Sequence, residues 1–98
     1  MATWQEVSQN TVELSGELSR HSVQSLIPVV ARLKGYEQLS VELSKLSHVD
    51  SAGLAFLIEL QERASKLKLC LNFVGSTAAL DKLIALYNAD SLLAPVKN

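Results

Sequence analysis

The chain alternates between strand-like and helix-like hydrophobic patterns. Residues 11–15 and 39–44 alternate polar and apolar positions, as half-buried strands do. Residues 69–74 form another apolar strand, which Gly75 ends. A weaker strand-like stretch at residues 4–7 precedes the turn-like 8–10 and favours a hairpin with the strand that follows. The pattern therefore predicts about four strands.

Apolar residues at helical spacing predict three helices between and after these strands. Ser22 is the expected cap of the first helix, and Pro28 predicts a kink or a later start. The first apolar face consists of Val23, Leu26, Ile27, Val30 and Leu33. The second helix runs from about residue 51 to 67, with a face of Gly53, Phe56, Leu57, Leu60, Ala64 and Leu67. The third follows a cap at Ser76 or Thr77 and presents Leu80, Leu83, Ile84 and Tyr87.

The element order is strand, strand, helix, strand, helix, strand, helix. Such alternation implies a sheet with crossover helices packed against it. We therefore expect a single α/β domain over residues 1–98, with a mixed sheet of about four strands and helices packed on it.

Composition excludes several classes of function. The chain has 98 residues, 48% of them hydrophobic, which suits one small globular domain. A net charge of -1, with nine Lys and Arg scattered along the chain, gives no basic footprint for nucleic acid and no cationic face for a membrane-surface helix. The N-terminus does not resemble a signal peptide, and no apolar run approaches the length that spans a bilayer. We expect a cytoplasmic protein without direct membrane insertion, in which the lone Cys70 is a reduced core thiol.

The search for catalytic or cofactor-binding patterns is negative. The four glycines are isolated and match no nucleotide-binding loop, and His21 and His48 lack metal-ligand spacing. A hydrolytic triad could be assembled from the residue types of Ser51, His48 and Asp50. However, residues so close in sequence rarely meet in the required geometry. The sequence predicts no catalytic residue, no metal and no cofactor.

The most informative segment is the predicted helix start at residues 49–54. Asp50 and Ser51 are residue types that cap free backbone N–H groups, and Asp50 is the better candidate for the cap. Ala52 and Gly53 have little or no side chain, so that another molecule can approach the backbone of this turn closely. Ser51 is then either a buried cap or an exposed hydroxyl at the positive end of a helix.

Two further apolar residues lie beside this turn. Leu54 and Ile58 fall on the flank between the core face and the charged face of the second helix. If a neighbouring helix leaves them open, they form a docking patch with Ser51; if it covers them, they extend the core. The predicted partner-binding residues are Asp50, Ser51, Ala52, Gly53, Leu54 and Ile58.

Three segments together resemble the STAS domain, a family named after sulfate transporters and anti-sigma-factor antagonists. They are the strand at residues 14–18, the strand at residues 39–44 and the Asp-Ser-x-Gly-Leu turn at residues 50–54. Residues 80–88 followed by Leu92 and Leu93 are similar to the C-terminal region of the MlaB-like branch. Members of that branch are the small STAS subunits of the Mla phospholipid-transport ABC system of Gram-negative bacteria.

The resemblance implies one of two functions. In the MlaB-like branch the domain sits on the cytoplasmic ATPase subunit, which works with a permease and a substrate-binding component, and the position of Ser51 belongs to the contact surface. In the antagonist branch, a partner kinase phosphorylates the hydroxyl that matches Ser51. Ala52 removes a second phospho-acceptor. Ser19 replaces an Asp that many members carry, and this change, together with the ending at residues 86–93, favours the transporter subunit over the antagonist.

Overall fold

The computed structural model describes residues 2–89. Five strands and three helices make up this part of the chain. The strands are β1 (Ala2–Ser8), β2 (Thr11–Leu18), β3 (Gln38–Glu42), β4 (Leu46–Val49) and β5 (Cys70–Val74). The helices are α1 (Val23–Arg32), α2 (Ser51–Lys66) and α3 (Ala78–Leu86), and a 3-10 turn at Leu33–Gly35 follows α1.

All five strands belong to one mixed sheet, in the order β1-β2-β3-β5, with β4 also paired to β2. The predicted hairpin of β1 and β2 is antiparallel. The other pairs are parallel: β3 lies beside the first half of β2 and β4 beside its second half. The predicted single α/β domain with a mixed sheet is confirmed, and β4 is the strand that the hydrophobic pattern missed.

The buried residues of the strands share one face of the sheet, and the helices cover it. α2 lies in the middle and contacts both α1 and α3, as well as strands β2, β4 and β5. The largest fully buried side chains come from strands, helices and loops alike: Phe73, Leu14, Leu18, Leu33, Leu39, Leu43, Leu57, Leu60 and Leu80. Their burial removes apolar area from water, and this area is the main source of stability for so small a domain.

The crossover geometry sets the direction of the helices. Because β2, β3, β4 and β5 are mutually parallel, the helices α1 and α2 both run back across the sheet and are parallel to each other. Both helices begin at the edge where the strands end, and both finish at the opposite edge. The two ends of α2 therefore present separate surfaces.

Several local predictions were wrong. Cys70 is exposed rather than buried, because the alternation of β5 points Leu71 and Phe73 into the core instead. The Ser22 hydroxyl does not cap α1; it donates to the Glu17 carbonyl at 2.6 Å and accepts from the Ser19 N–H. α1 begins at Val23 and continues through Pro28, so the later start did not occur.

Candidate functional site

The turn between β4 and α2 places the predicted site residues at the edge where the parallel strands end. Asp50 caps α2: its Oδ1 accepts a hydrogen bond from the Gly53 N–H at 2.9 Å. Its Oδ2 accepts another from the Arg20 N–H at 3.1 Å. The predicted role of Asp50 as the cap is confirmed, and the same carboxylate also fixes the loop between β2 and α1.

The hydrogen bonds of Asp50 change its acidity. Desolvation raises the pKa of Asp50, but hydrogen bonds from the N–H groups of Gly53, Arg20 and Ala52 and the nearby charge of His48 act in the opposite direction. The net result is a pKa below the ordinary value. Asp50 is thus held as a carboxylate, and its observed hydrogen-bond donors are backbone N–H groups rather than a histidine.

Ser51 is the first residue of α2 and is exposed. Among residues 2–89, its hydroxyl has no hydrogen-bond partner, since Asp50 supplies the cap. Of the two possibilities for Ser51, the exposed hydroxyl at the positive end of a helix is the one observed.

Gly53 is buried because α2 begins directly against the end of β2. A Cβ at this position would overlap the carbonyl oxygen of Leu18 and lie 2.9 Å from its carbonyl carbon. Gly53 thus permits a close approach between the helix and the sheet. Ala52 beside it is half-buried.

An apolar pocket of about 250 Å³ lies next to Ser51, between α2 and the end of α3. Its lining consists of Ser51, Leu54, Ala55, Ile58, Tyr87 and Ala89. Leu54 is only 3% exposed and forms part of the floor, whereas Ile58 is half-buried. Leu54 is therefore covered and extends the core, as one alternative predicted. Ile58 is partly open and belongs to the apolar patch, as the other alternative predicted. We call this set the Ser51 surface.

Sequence reasoning missed the contribution of α3 to this surface. Tyr87 was assigned to the core face of α3, but it is 55% exposed and lines the pocket. Tyrosine has an apolar ring and a polar hydroxyl and is enriched at interfaces. Its position at the end of a helix could therefore have indicated a surface role for Tyr87. The predicted tail residues Leu92 and Leu93 lie outside the described residues.

No group of three or more His, Cys, Asp and Glu side chains within residues 2–89 is arranged to hold a metal ion. No helix in the same range has the length and apolar character needed to cross a bilayer.

A family model described as "Mlab, STAS domain" matches residues 1–94. The chain belongs to the STAS domain family. A comparison with curated protein sequences gives no match.

Solved structures with the same fold cover nearly the whole chain. A putative anti-sigma factor antagonist from Thermotoga maritima superposes with a TM-score of 0.79 at 19% identity, covering 100% of this chain and 86% of the other. An anti-sigma factor antagonist from Mycobacterium paratuberculosis gives 0.78 at 20% identity, covering 99% and 84%. The unphosphorylated antagonist SpoIIAA gives 0.70 at 14% identity, covering 100% and 87%. At these sequence identities the similarity establishes only that this STAS domain has the same fold as the three proteins.

Proposed function

We propose that this STAS domain is a non-enzymatic, cytoplasmic accessory subunit of a phospholipid-transport ABC transporter. It binds the ATPase subunit, in a complex with the permease and substrate-binding components, and supports ATPase assembly and activity in maintaining outer-membrane lipid asymmetry. The family model that spans the chain carries the name of the Mla system, which supports this proposal over other STAS functions.

The observation that carries the proposal is the apolar pocket beside the exposed hydroxyl of Ser51. A partner side chain that enters this pocket buries apolar area against Ile58 and Tyr87, while the Ser51 hydroxyl and the first N–H groups of α2 supply polar contacts. Asp50 holds the helix start in place through its two backbone hydrogen bonds. Such a preorganised, partly apolar surface suits protein binding, because little ordering is needed when the partner arrives.

The test is copurification with an ABC ATPase subunit. Ser51→Glu adds a charge at the rim of the pocket, and Ala55→Glu adds one on its exposed wall, so both should reduce the amount of bound ATPase. Circular dichroism of each variant should match that of the unaltered protein. ATPase binding that is unchanged in both variants would overturn the proposed contact surface.

The second candidate function is an anti-sigma-factor antagonist regulated by phosphorylation of Ser51. The exposure of Ser51 favours it, because a kinase needs access to the hydroxyl and a helix N-terminus accommodates phosphate well. A phosphate would add about -1.5 to -2 charges beside the apolar pocket and would disfavour an apolar or acidic partner. A serine kinase from the same genome should then transfer phosphate to the native chain and not to Ser51→Ala; transfer to neither would refute this candidate.

A further inference from the structure

A second groove lies between α1 and the last turn of α2, about 18 Å along the helix from Ser51 by its rise per residue. Its volume is about 350 Å³. Its lining consists of Ile27, Val30, Ala31, Lys34, Arg63 and Leu67. Because it adjoins Arg63 and Leu67, this groove lies near the end of α2 opposite to Ser51.

Two of its apolar residues are exposed although their spacing assigned them to the core. Ile27 is 59% exposed and Leu67 is 38% exposed, while Leu26 and Val29 fill the core side of α1. Ile27 and Ala31 are one helical turn apart, so they form a short apolar stripe that faces Leu67 across the groove. Leaving this stripe in water has a cost that a bound partner would remove.

The two segments that form this groove are rich in cations. Segments 27–34 and 63–68 hold five of the nine Lys and Arg residues and no acidic residue, in a chain whose net charge is -1. These five are exposed: Arg32, Lys34, Arg63, Lys66 and Lys68. Arg63 lies 3.5 Å from Glu59 in an ion pair whose partners are both about half exposed, and such a pair is weak. Of these five, Lys34 and Arg63 line the groove, so two cations border its apolar floor.

We propose that this groove binds an acidic, amphipathic α-helical segment of another protein. A helix with apolar residues at i, i+3 or i+4 and i+7 would place them between Ile27 and Leu67, and its acidic flanks would meet Lys34 and Arg63. A concave groove between two helices suits such a row of side chains better than it suits a flat lipid surface. This binding is independent of the Ser51 surface, so the domain contacts a second, separate partner from the other end of α2.

Photo-crosslinking in the native host tests the groove. p-Benzoylphenylalanine is placed at Ile27, and in separate controls at Ala55 on the Ser51 surface and at Gln5 on β1, and the crosslinked peptides are identified by mass spectrometry. Position 27 should crosslink to a protein segment with net negative charge and apolar residues at helical spacing, and position 5 should not. No protein crosslink at position 27, or one to a basic or non-helical segment, would overturn the proposal.

A matched pair of substitutions separates this groove from the proposed ATPase contact. Ala31→Glu in the groove should lower the crosslink yield at position 27 by about tenfold through like-charge repulsion, whereas Ala31→Lys should preserve it. Ala55→Glu should leave the crosslink yield at position 27 unchanged. If position 55 gives no crosslink to the ATPase while position 27 still crosslinks as expected, only the proposed function is contradicted. Flotation of the domain with phosphatidylglycerol vesicles, if reduced by Ala31→Glu, would instead make the groove a membrane contact and overturn the protein partner.

Discussion

The Asp50 carboxylate accepts a hydrogen bond from the N–H of Arg20, a residue thirty positions earlier in the chain, at 3.1 Å. Its other oxygen caps α2 through the N–H of Gly53. One side chain thus ties the loop after β2 to the start of α2, and it fixes the position from which Ser51 is presented. The stability of the domain and the geometry of the Ser51 surface depend on the same carboxylate.

Asp50→Ala should lower the free energy of unfolding by about 1–2 kcal/mol, because it removes the cap of α2. Urea denaturation followed by circular dichroism measures this change. Ser51→Ala is the matched control at the next position: the Ser51 side chain is exposed, so its loss should change stability by less than about 0.5 kcal/mol. Equal losses in the two variants would mean that Asp50 is not the dominant cap.

Stability should also depend on pH through Asp50. Its pKa is lower in the folded state than in the unfolded chain, so its stabilising effect is complete above the unfolded value of 3.8 and is lost as pH falls through the folded pKa. The difference in unfolding free energy between the native chain and Asp50→Asn should therefore shrink when pH is lowered from 6 toward 2. A difference that stays constant over this range would contradict the assignment.

Gly53→Ala should destabilise the domain even though alanine normally favours a helix by about 0.5–1 kcal/mol over glycine. A Cβ would overlap the Leu18 backbone, so α2 must move away from β2, at a cost of about 1–3 kcal/mol. Gly35→Ala is the control, because a Cβ there meets nothing within 4 Å. Thermal unfolding of both variants measures the contrast, and a Gly53→Ala variant as stable as Gly35→Ala would show that the contact is loose.

Cys70 should react with a thiol reagent in the folded protein, since its side chain lies on the exposed side of β5. We expect a labelling rate with dithiobis-nitrobenzoate close to that of the denatured chain. If Cys70 is labelled only after the protein unfolds, its side chain is buried and the prediction is wrong.

The strands with regular alternation and the cap at Asp50 were predictable because each depends on local chemistry. Strand β4 was not, since its burial pattern leaves Ser47 and His48 exposed between Leu46 and Val49 and so shows no alternation of period two. Leu67 was assigned to the core, but it follows the last residue of α2 and is 38% exposed, whereas Ala64 in the last turn is buried.

The candidate site was predicted only in part, because its pocket depends on tertiary packing. Contact between α2 and α3 buries Leu54 and brings Tyr87 beside Ile58, and neither result follows from the spacing within one helix. A charge at Leu54 would therefore disrupt the fold together with any binding, since an unpaired buried charge is very costly. Exposed Ala55, on the same surface, is the position that separates binding from stability.

The most direct test of the central claim compares Ala55→Glu with Ala31→Glu in copurification with the ABC ATPase subunit. Both residues are exposed helical alanines, one on the Ser51 surface and one in the opposite groove, so the chemical change is identical. We predict that Ala55→Glu lowers the amount of copurified ATPase by about tenfold or more, because the added charge must lose its water at the interface. Ala31→Glu should retain the ATPase. Retention of the ATPase by a folded Ala55→Glu variant would contradict the account.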